Sequence, residues 1–479
     1  MKKIFFTLLV LILLISSCKD QQRDFSGVIS RISVLMRSGE LKKAVTLADS
    51  LKRITANEKT VHFADSVIDL AHRIPLDFSL TENEVMDKLR QNLGEKFDSG
   101  KIKEMEKKGW LEYRIIDGEK KYFNRAASNL ILISRFRQNR ADRDTAIARD
   151  PYMVFRRAHN SKIIAGDRKS PSPAQPVQME VIYTITLAPD AVPDGETVRC
   201  WLPYPKENSP RQKDVYLLGV SNEDFILAPD SCVHRSVYME NKAEKGKPVV
   251  FRISYSYTSS GQYFNPDNLK PEPYDKSSAL FKKYTAEKLP QICFTSKIKH
   301  IADSITGNET DPFRIVHSIY RWINNTVPWA GALEYSIMEN IPEYVLNNHR
   351  GDCGMQTFLL MSMLRYKGIP VKWQSGWMMP PDNKNLHDWC EVYYEGIGWV
   401  PVDISFGLNF SADRYLDEFY ISGIDSYRLI VNDGISGDFY PSKKFMRSEP
   451  FDFQRGELEW KGGNIYFDKW DYEMKITYR

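Results

Sequence analysis

Between residues 350 and 404 the chain reads as one apolar helix followed by three strands, an order that leaves few folds open. Arg350-Gly351-Asp352-Cys353-Gly354 opens this stretch. Gly351 and Gly354 give a flexible entry, and Asp352 is suited to be the N-cap, which puts Cys353 in the first helical turn. The helix continues to Lys367 with Phe358, Leu359, Met363 and Leu364 on one face; Gly368 closes it and Pro370 stops it. Val371 to Trp377 then alternates weakly, while His387 to Tyr394 and Trp399 to Ile404 alternate more clearly. Gly396 and Gly398 mark the last connection as a hairpin.

Cys353 at a helix start, His387 on one strand and Asp403 on the next are the parts of a thiol acyl-transfer site. A thiol attacks as the thiolate, and both a helix N-terminus and a neighbouring imidazolium favour that form. The adjacent Asp352 acts the other way, so the dipole and His387 have to outweigh it. His387, Trp389 and Glu391 share one face of their strand; Asp388, Cys390 and Val392 share the other. Cys390, the second candidate nucleophile, therefore points away from His387 and reads as core. Val400, Val402 and Ile404 form an apolar face, from which Asp403 points away. Pairing Tyr394 with Trp399 across a four-residue loop would set Asp403 opposite Cys390, on the wrong face for His387. An odd loop or a bulge restores the shared face, and that arrangement is expected. His349 is a weaker base candidate, since it precedes Cys353 in a loop with no evident carboxylate to orient it.

These segments resemble the transglutaminase-like superfamily, most closely its secreted bacterial members. The resemblance rests on Gly351-Asp352-Cys353, Arg365-Tyr366-Lys367-Gly368-Ile369-Pro370, His387-Asp388-Trp389 and Gly398-Trp399-Val400-Pro401-Val402-Asp403. It implies a papain-like α+β core with Cys353 as nucleophile, His387 as general base and acid, and Asp403 orienting the imidazole. It also implies an upstream indole in the oxyanion hole; Trp329 is the best positional match, beside the backbone N–H of Cys353. Upstream, Asp311-Pro312 reads as N-cap and first residue of a scaffold helix. Trp373 and Trp377 are expected to flank the cleft. The expected activity is a cell-envelope thiol enzyme acting on a protein or peptide amide through a cysteinyl thioester. Water resolves that thioester in a peptidase or amidase, an amine in a transglutaminase; hydrolysis is favoured. The alternative is a non-catalytic envelope binding or scaffold lipoprotein on the same fold.

The N-terminus carries a separate signal. Lys2-Lys3 precede an apolar run from Ile4 to Ile15, too short for a comfortable membrane span and suited to a signal peptide over residues 1–17. Ile15-Ser16-Ser17-Cys18 resembles a bacterial lipoprotein cleavage box, which implies lipidation of Cys18. Lys19 follows it rather than a retention aspartate, so an outer-membrane anchor is expected, with the side of the membrane open.

A length of 479 residues suggests three or four domains. The expected fold class is multidomain α+β: a helical hairpin region (18–75), a helical region with a β-hairpin turning at Asp117-Gly118 (76–164), and a linker (165–177). A β-sandwich (178–265), the transglutaminase-like core (275–415) and a β-rich extension (416–479) follow. Trp470, Tyr472, Met474, Ile476 and Tyr478 alternate with polar residues, so the last strand is expected to dock on the core or the sandwich. A net charge of +4 is too balanced to imply nucleic acid. An export compartment permits disulfides, and Cys200 with Cys232 form a conceivable pair within one domain. With no CxxC pair, HExxH helix or EF-hand loop, no metal or cofactor is expected.

Overall fold

The computed structural model describes residues 24–94, 98–137, 149–166, 171–207 and 209–479; Cys18 and the signal segment lie outside them. The chain divides into two compact units, one of residues up to Glu84 with Tyr113–Phe123, the other of Val85–Glu112 with Asn124–Arg479.

In the first unit three helices, Ser26–Arg37, Leu41–Ile54 and Glu58–Asp77, replace the expected two-helix hairpin. They meet through Ile32, Ala44, Ala48, Leu51, Ala64 and Val67, where the small alanines allow close approach. The hairpin β1 (Tyr113–Ile116) and β2 (Glu119–Tyr122) turns at Asp117-Gly118. Both turn residues have positive φ (48° and 88°), as a two-residue hairpin that follows strand twist requires. It seats on Gly39: a Cβ there would lie 1.9 Å from the Ile115 carbonyl oxygen, and the Asp117 N–H donates to the Gly39 carbonyl at 2.8 Å. The hairpin thus belongs with the N-terminal helices, and the expected boundary at residue 75 is replaced by this pairing.

The second unit holds a sandwich and a core. Strands β3 (Ala174–Leu187), β4 (Thr197–Pro203), β5 (Gln212–Val220), β6 (Phe225–Leu227), β7 (Ser236–Lys242) and β8 (Val249–Tyr263) supply the first part of the sandwich. The core contributes β9 (Val371–Met378), β10 (Asn385–Tyr394) and β11 (Gly398–Val402). The C-terminal segment gives β12 (Gly423–Ile424), β13 (Arg428–Asn432), β14 (Glu457–Trp460), β15 (Gly463–Ile465) and β16 (Trp470–Tyr478). One sandwich sheet runs β12-β8-β3-β16 with β5 also on β8; the other runs β15-β14-β4-β7-β6.

The final strand docks as its alternation required, antiparallel to β3 from Trp470 beside Leu187 to Tyr478 beside Met179. The expected split between a sandwich at 178–265 and an extension at 416–479 does not hold. β12, β14, β15 and β16 complete both sandwich sheets, while β13 joins the core sheet, because strands with open edges need partners. β3 also begins at Ala174, inside the expected linker. Cys200 and Cys232 are both free; Cys200 points into the sandwich core.

The core sheet runs β11-β10-β9-β13, and the helix Cys353–Tyr366 packs on it. Every residue from Cys353 to Arg365 is buried, so this helix is apolar all round rather than on one face. Its Phe358, Leu359, Leu360, Met361, Met363 and Leu364 contribute on the order of 10 kcal/mol of gross burial. The scaffold helix Pro312–Thr326 starts as expected, with the Asp311 carboxylate accepting from the Arg314 N–H at 3.0 Å. Trp373 stacks on Phe358 at 4.3 Å, and Trp377 lies in the sandwich core. Both indoles are packing residues rather than cleft walls.

Candidate active site

The cysteine helix begins with the expected cap. Asp352 is extended, and its Oδ1 accepts from the Met355 N–H at 3.0 Å and from the Tyr335 hydroxyl at 2.6 Å. Cys353 therefore sits in the first turn, at the wall of a cleft of about 220 Å³. Trp329, Tyr335, Asp388, Asp452 and Arg455 line it with the cysteine. Trp329 is 42% exposed there, and its backbone bridges Gly351 just ahead of the cap. Across the cleft the Arg455 guanidinium grips Glu334 with two hydrogen bonds, at 2.9 and 2.5 Å.

The strand register brings His387 and Asp403 together. β10 and β11 pair from Cys390–Val402 to Tyr394–Gly398, leaving the three-residue loop Glu395-Gly396-Ile397. That odd count places Asp403 on the His387 face, as expected. His387 Nε2 lies 2.7 Å from Asp403 Oδ2, which also accepts from Arg428 Nη1 at 2.7 Å. The Phe406 N–H donates to Asp403 Oδ1 at 3.0 Å, and Arg428 Nη2 donates to Asp425 at 2.6 Å. Burial alone would raise the Asp403 pKa, but His387 and Arg428 more than offset it and hold this carboxyl well below the usual range. Burial lowers the His387 pKa, with Asp403 opposing.

Cys353 is not part of that constellation. Among the described residues its thiol hydrogen-bonds to Asp388, with Sγ 3.3 Å from Oδ2. The reason is strand alternation. The cysteine helix covers the face that carries Asp388, Cys390 and, opposite Cys390, Trp373. His387 projects from the other face, where it meets Asp403, Phe406 and Trp389. The expected pairing of Cys353 with His387 is thus replaced by a Cys353–Asp388 contact. Cys390 is buried and donates to the Val402 carbonyl, consistent with a core role.

Electrostatics at the thiol follow. Burial pushes Cys353 well above the usual thiol value, and the Asp388 and Asp352 carboxylates push the same way. The expectation that a helix dipole and His387 would outweigh Asp352 is not met, because Asp388 stands where an imidazolium was needed. Asp388 itself is driven well above the carboxylate range by burial, then by Asp452 and Asp352. Its Oδ1 accepts from Gln454 Nε2 at 2.7 Å, and Asp452 lines the same cleft. Asp452 Oδ1 in turn accepts from the Ser375 hydroxyl at 2.5 Å and from Asn432 Nδ2 at 2.9 Å. Asp388 was legible in the sequence as the face-mate of Cys390. Asp452 and Gln454 lie in an aperiodic segment and left no such signal.

Residues 299–404, which include Cys353, His387 and Asp403, match the model of the transglutaminase-like superfamily. The chain is 22% identical over 193 residues to the uncharacterized protein YebA of Bacillus subtilis (strain 168). That match covers 36% of this chain and 26% of the relative, so the chain spans about a quarter of the curated relative's length. Among solved structures, a proposed cysteine protease from Cytophaga hutchinsonii is similar, at a TM-score of 0.43 and 14% identity, over 64% of this chain and 91% of that one. The periplasmic domain of TgpA from Pseudomonas aeruginosa is also similar, at a TM-score of 0.25 and 14% identity, over 54% and 94%. Residues 299–404 of this multidomain α+β chain are a core of the transglutaminase-like superfamily.

Proposed function

We propose that this protein is a cell-envelope thiol enzyme that attacks protein or peptide amides through Cys353 and releases the acyl group to water. The observation that carries this reading is a cysteine in the first turn of a rigid, buried helix at the wall of an open cleft. Helix placement fixes the sulfur, and the cleft gives a carbonyl access to it. The Cys353 N–H and the Trp329 indole are the oxyanion donors in this reading, since both border the same cleft. Hydrolysis is favoured over amine transfer because an open, polar cleft admits water to the thioester. The anchor belongs to the same proposal: Ile15-Ser16-Ser17-Cys18 supports lipidation of Cys18 and an outer-membrane location. The mass of the mature N-terminal peptide tests it, with an unmodified Cys18 ruling it out.

The enzymatic reading is tested by acyl transfer from p-nitrophenyl acetate, followed by mass spectrometry. A single acetyl group should appear on Cys353, decay with time, and be absent from Cys353→Ala. A folded wild-type protein that never acquires the acetyl group at Cys353 would instead favour the scaffold role.

A further inference from the structure

Resting on the thiol-enzyme reading above, we propose that Arg125 is a specificity-determining residue of the Cys353 cleft. It selects amides that carry a carboxylate beside the scissile bond, as an acidic side chain or a free C-terminus. The helical segment ahead of the sandwich thereby contributes to the site.

Arg125 lines the cleft together with Cys353 and Trp329. It is the N-cap of the helix Ala126–Phe136, which is anchored by buried Ala126, Ala127, Asn129, Leu130 and Ile133, while Arg125 itself is exposed. Asn129, buried, grips the backbone of Gly331 with both ends of its amide. Its Nδ2 donates to the Gly331 carbonyl at 2.9 Å, and its Oδ1 accepts from the Gly331 N–H at 2.8 Å. The Arg125 stem fills the space that a side chain at Gly331 would need: a Cβ there would lie 2.8 Å from Arg125 Cδ and 3.1 Å from Nη1. The same loop is bonded to the approach to Cys353. The Gly351 N–H donates to the Pro328 carbonyl at 3.2 Å, and the Ala330 N–H donates to the Gly351 carbonyl at 3.1 Å. Arg125 is thus laid along the loop that carries Trp329, rather than swinging free in solvent.

The other charged groups of the cleft are engaged. Arg455 holds Glu334, Asp352 accepts from Tyr335, Asp388 from Gln454, and Asp452 from Ser375. Glu457 accepts from the Ser448 N–H at 2.9 Å and Glu449 from the Phe451 N–H at 3.0 Å. Burial pushes the Glu449 pKa up to about 8, so this acid is mostly protonated at neutral pH. Among the described residues, no side chain or carbonyl pairs with the Arg125 guanidinium. It is left to bind a ligand, and its planar fork of donors matches a carboxylate, the anionic group a peptide offers.

The test uses the intact protein as wild type, Arg125→Gln and Arg125→Lys. Each is read as a ratio of two rates, so that a general loss of activity cancels. The first ratio is acylation of Cys353 by mono-p-nitrophenyl succinate against p-nitrophenyl butyrate, which puts a carboxylate on the acyl side. The second is discharge of acetyl-Cys353 by glycine against glycinamide, which puts it on the amine side. One of the two should fall at least about tenfold in Arg125→Gln, the size expected for a hydrogen bond to a charged group, and largely recover in Arg125→Lys. The ratio that falls identifies the side. The wild-type preference should also shrink in high salt, which screens exposed charges. Both ratios unchanged in Arg125→Gln overturn the inference and make Arg125 a solvated surface charge, while the thiol-enzyme reading stands. If no ester acylates wild-type Cys353, that reading fails separately. The ratio of iodoacetate to iodoacetamide alkylation at Cys353 then decides: a fall in Arg125→Gln supports the carboxylate subsite, and an unchanged ratio overturns it.

Discussion

On one face of the core sheet, Asp403 and Asp425 bracket Arg428, with His387 hydrogen-bonded to Asp403 and packed against the Phe406 ring. On the other face, Asp388 meets Asp452, Asp352 and a thiol. Both sets are buried and the residue types overlap, yet the acids respond in opposite directions. Pairing with a guanidinium holds Asp403 and Asp425 ionised, whereas acids that face acids are pushed toward the protonated form. The first face joins acids to a cation, and the second sets acid against acid beside the thiol.

The largest expected effect comes from breaking the stabilised face. Arg428→Met leaves Asp403 and Asp425 buried without their shared cation and should cost about 3–5 kcal/mol. Urea unfolding would register this as a lower midpoint at constant slope. A loss under about 1 kcal/mol, the size of an exposed ion pair, would mean that the His387 face is no more structural than a surface salt bridge.

The next effect lies on the face that carries Cys353. If the Trp329 N–H stabilises the oxyanion, Trp329→Phe should slow acetylation of Cys353 by about 10²-fold, without moving the unfolding midpoint. Trp329 is exposed enough that its ring adds little to the core. An unchanged acetylation rate would leave the backbone N–H of Cys353 as the donor to examine.

The difference between the faces was partly written in the sequence. Alternation along His387–Tyr394 separates His387 from Asp388, and the odd hairpin loop then assigns Asp403 to His387. The same alternation put Asp388 with Cys390, so reading Cys390 as core already implied that Asp388 faces whatever covers that core. What periodicity does not encode is which sheet face the cysteine helix covers. That depends on Phe358 meeting Trp373, a contact between separate elements. Arg428, Asp452 and Gln454 arrive from a long C-terminal segment whose short strands join two different sheets. The sandwich was legible as strands, but its closure by that segment depends on pairings distant in sequence.

The smallest effect has the most informative sign. Asp352 caps the cysteine helix, and burial pushes its pKa up to about 6 despite the Tyr335 hydrogen bond. In the unfolded chain an aspartate ionises near about 3.9. As pH rises between those values the unfolded state loses its proton first, so the native state binds more protons and stability falls. The fold therefore carries a penalty at pH 7 that is absent at pH 4. Asp352→Asn keeps an N-cap acceptor for the Met355 N–H and removes the charge. It should raise stability by about 1–2 kcal/mol at pH 7 and leave it nearly unchanged at pH 4. The Arg428–Asp403 face predicts the reverse slope: its acids have lowered pKa values, so their contribution is full above about pH 4 and fades as pH falls further. Paired urea titrations of Asp352→Asn and Asp403→Asn at pH 3, 4 and 7 separate the two faces by sign alone. Parallel pH profiles for the two variants would mean that Asp352 is stabilising after all, and that the electrostatic contrast across this sheet is not what sets Cys353 apart.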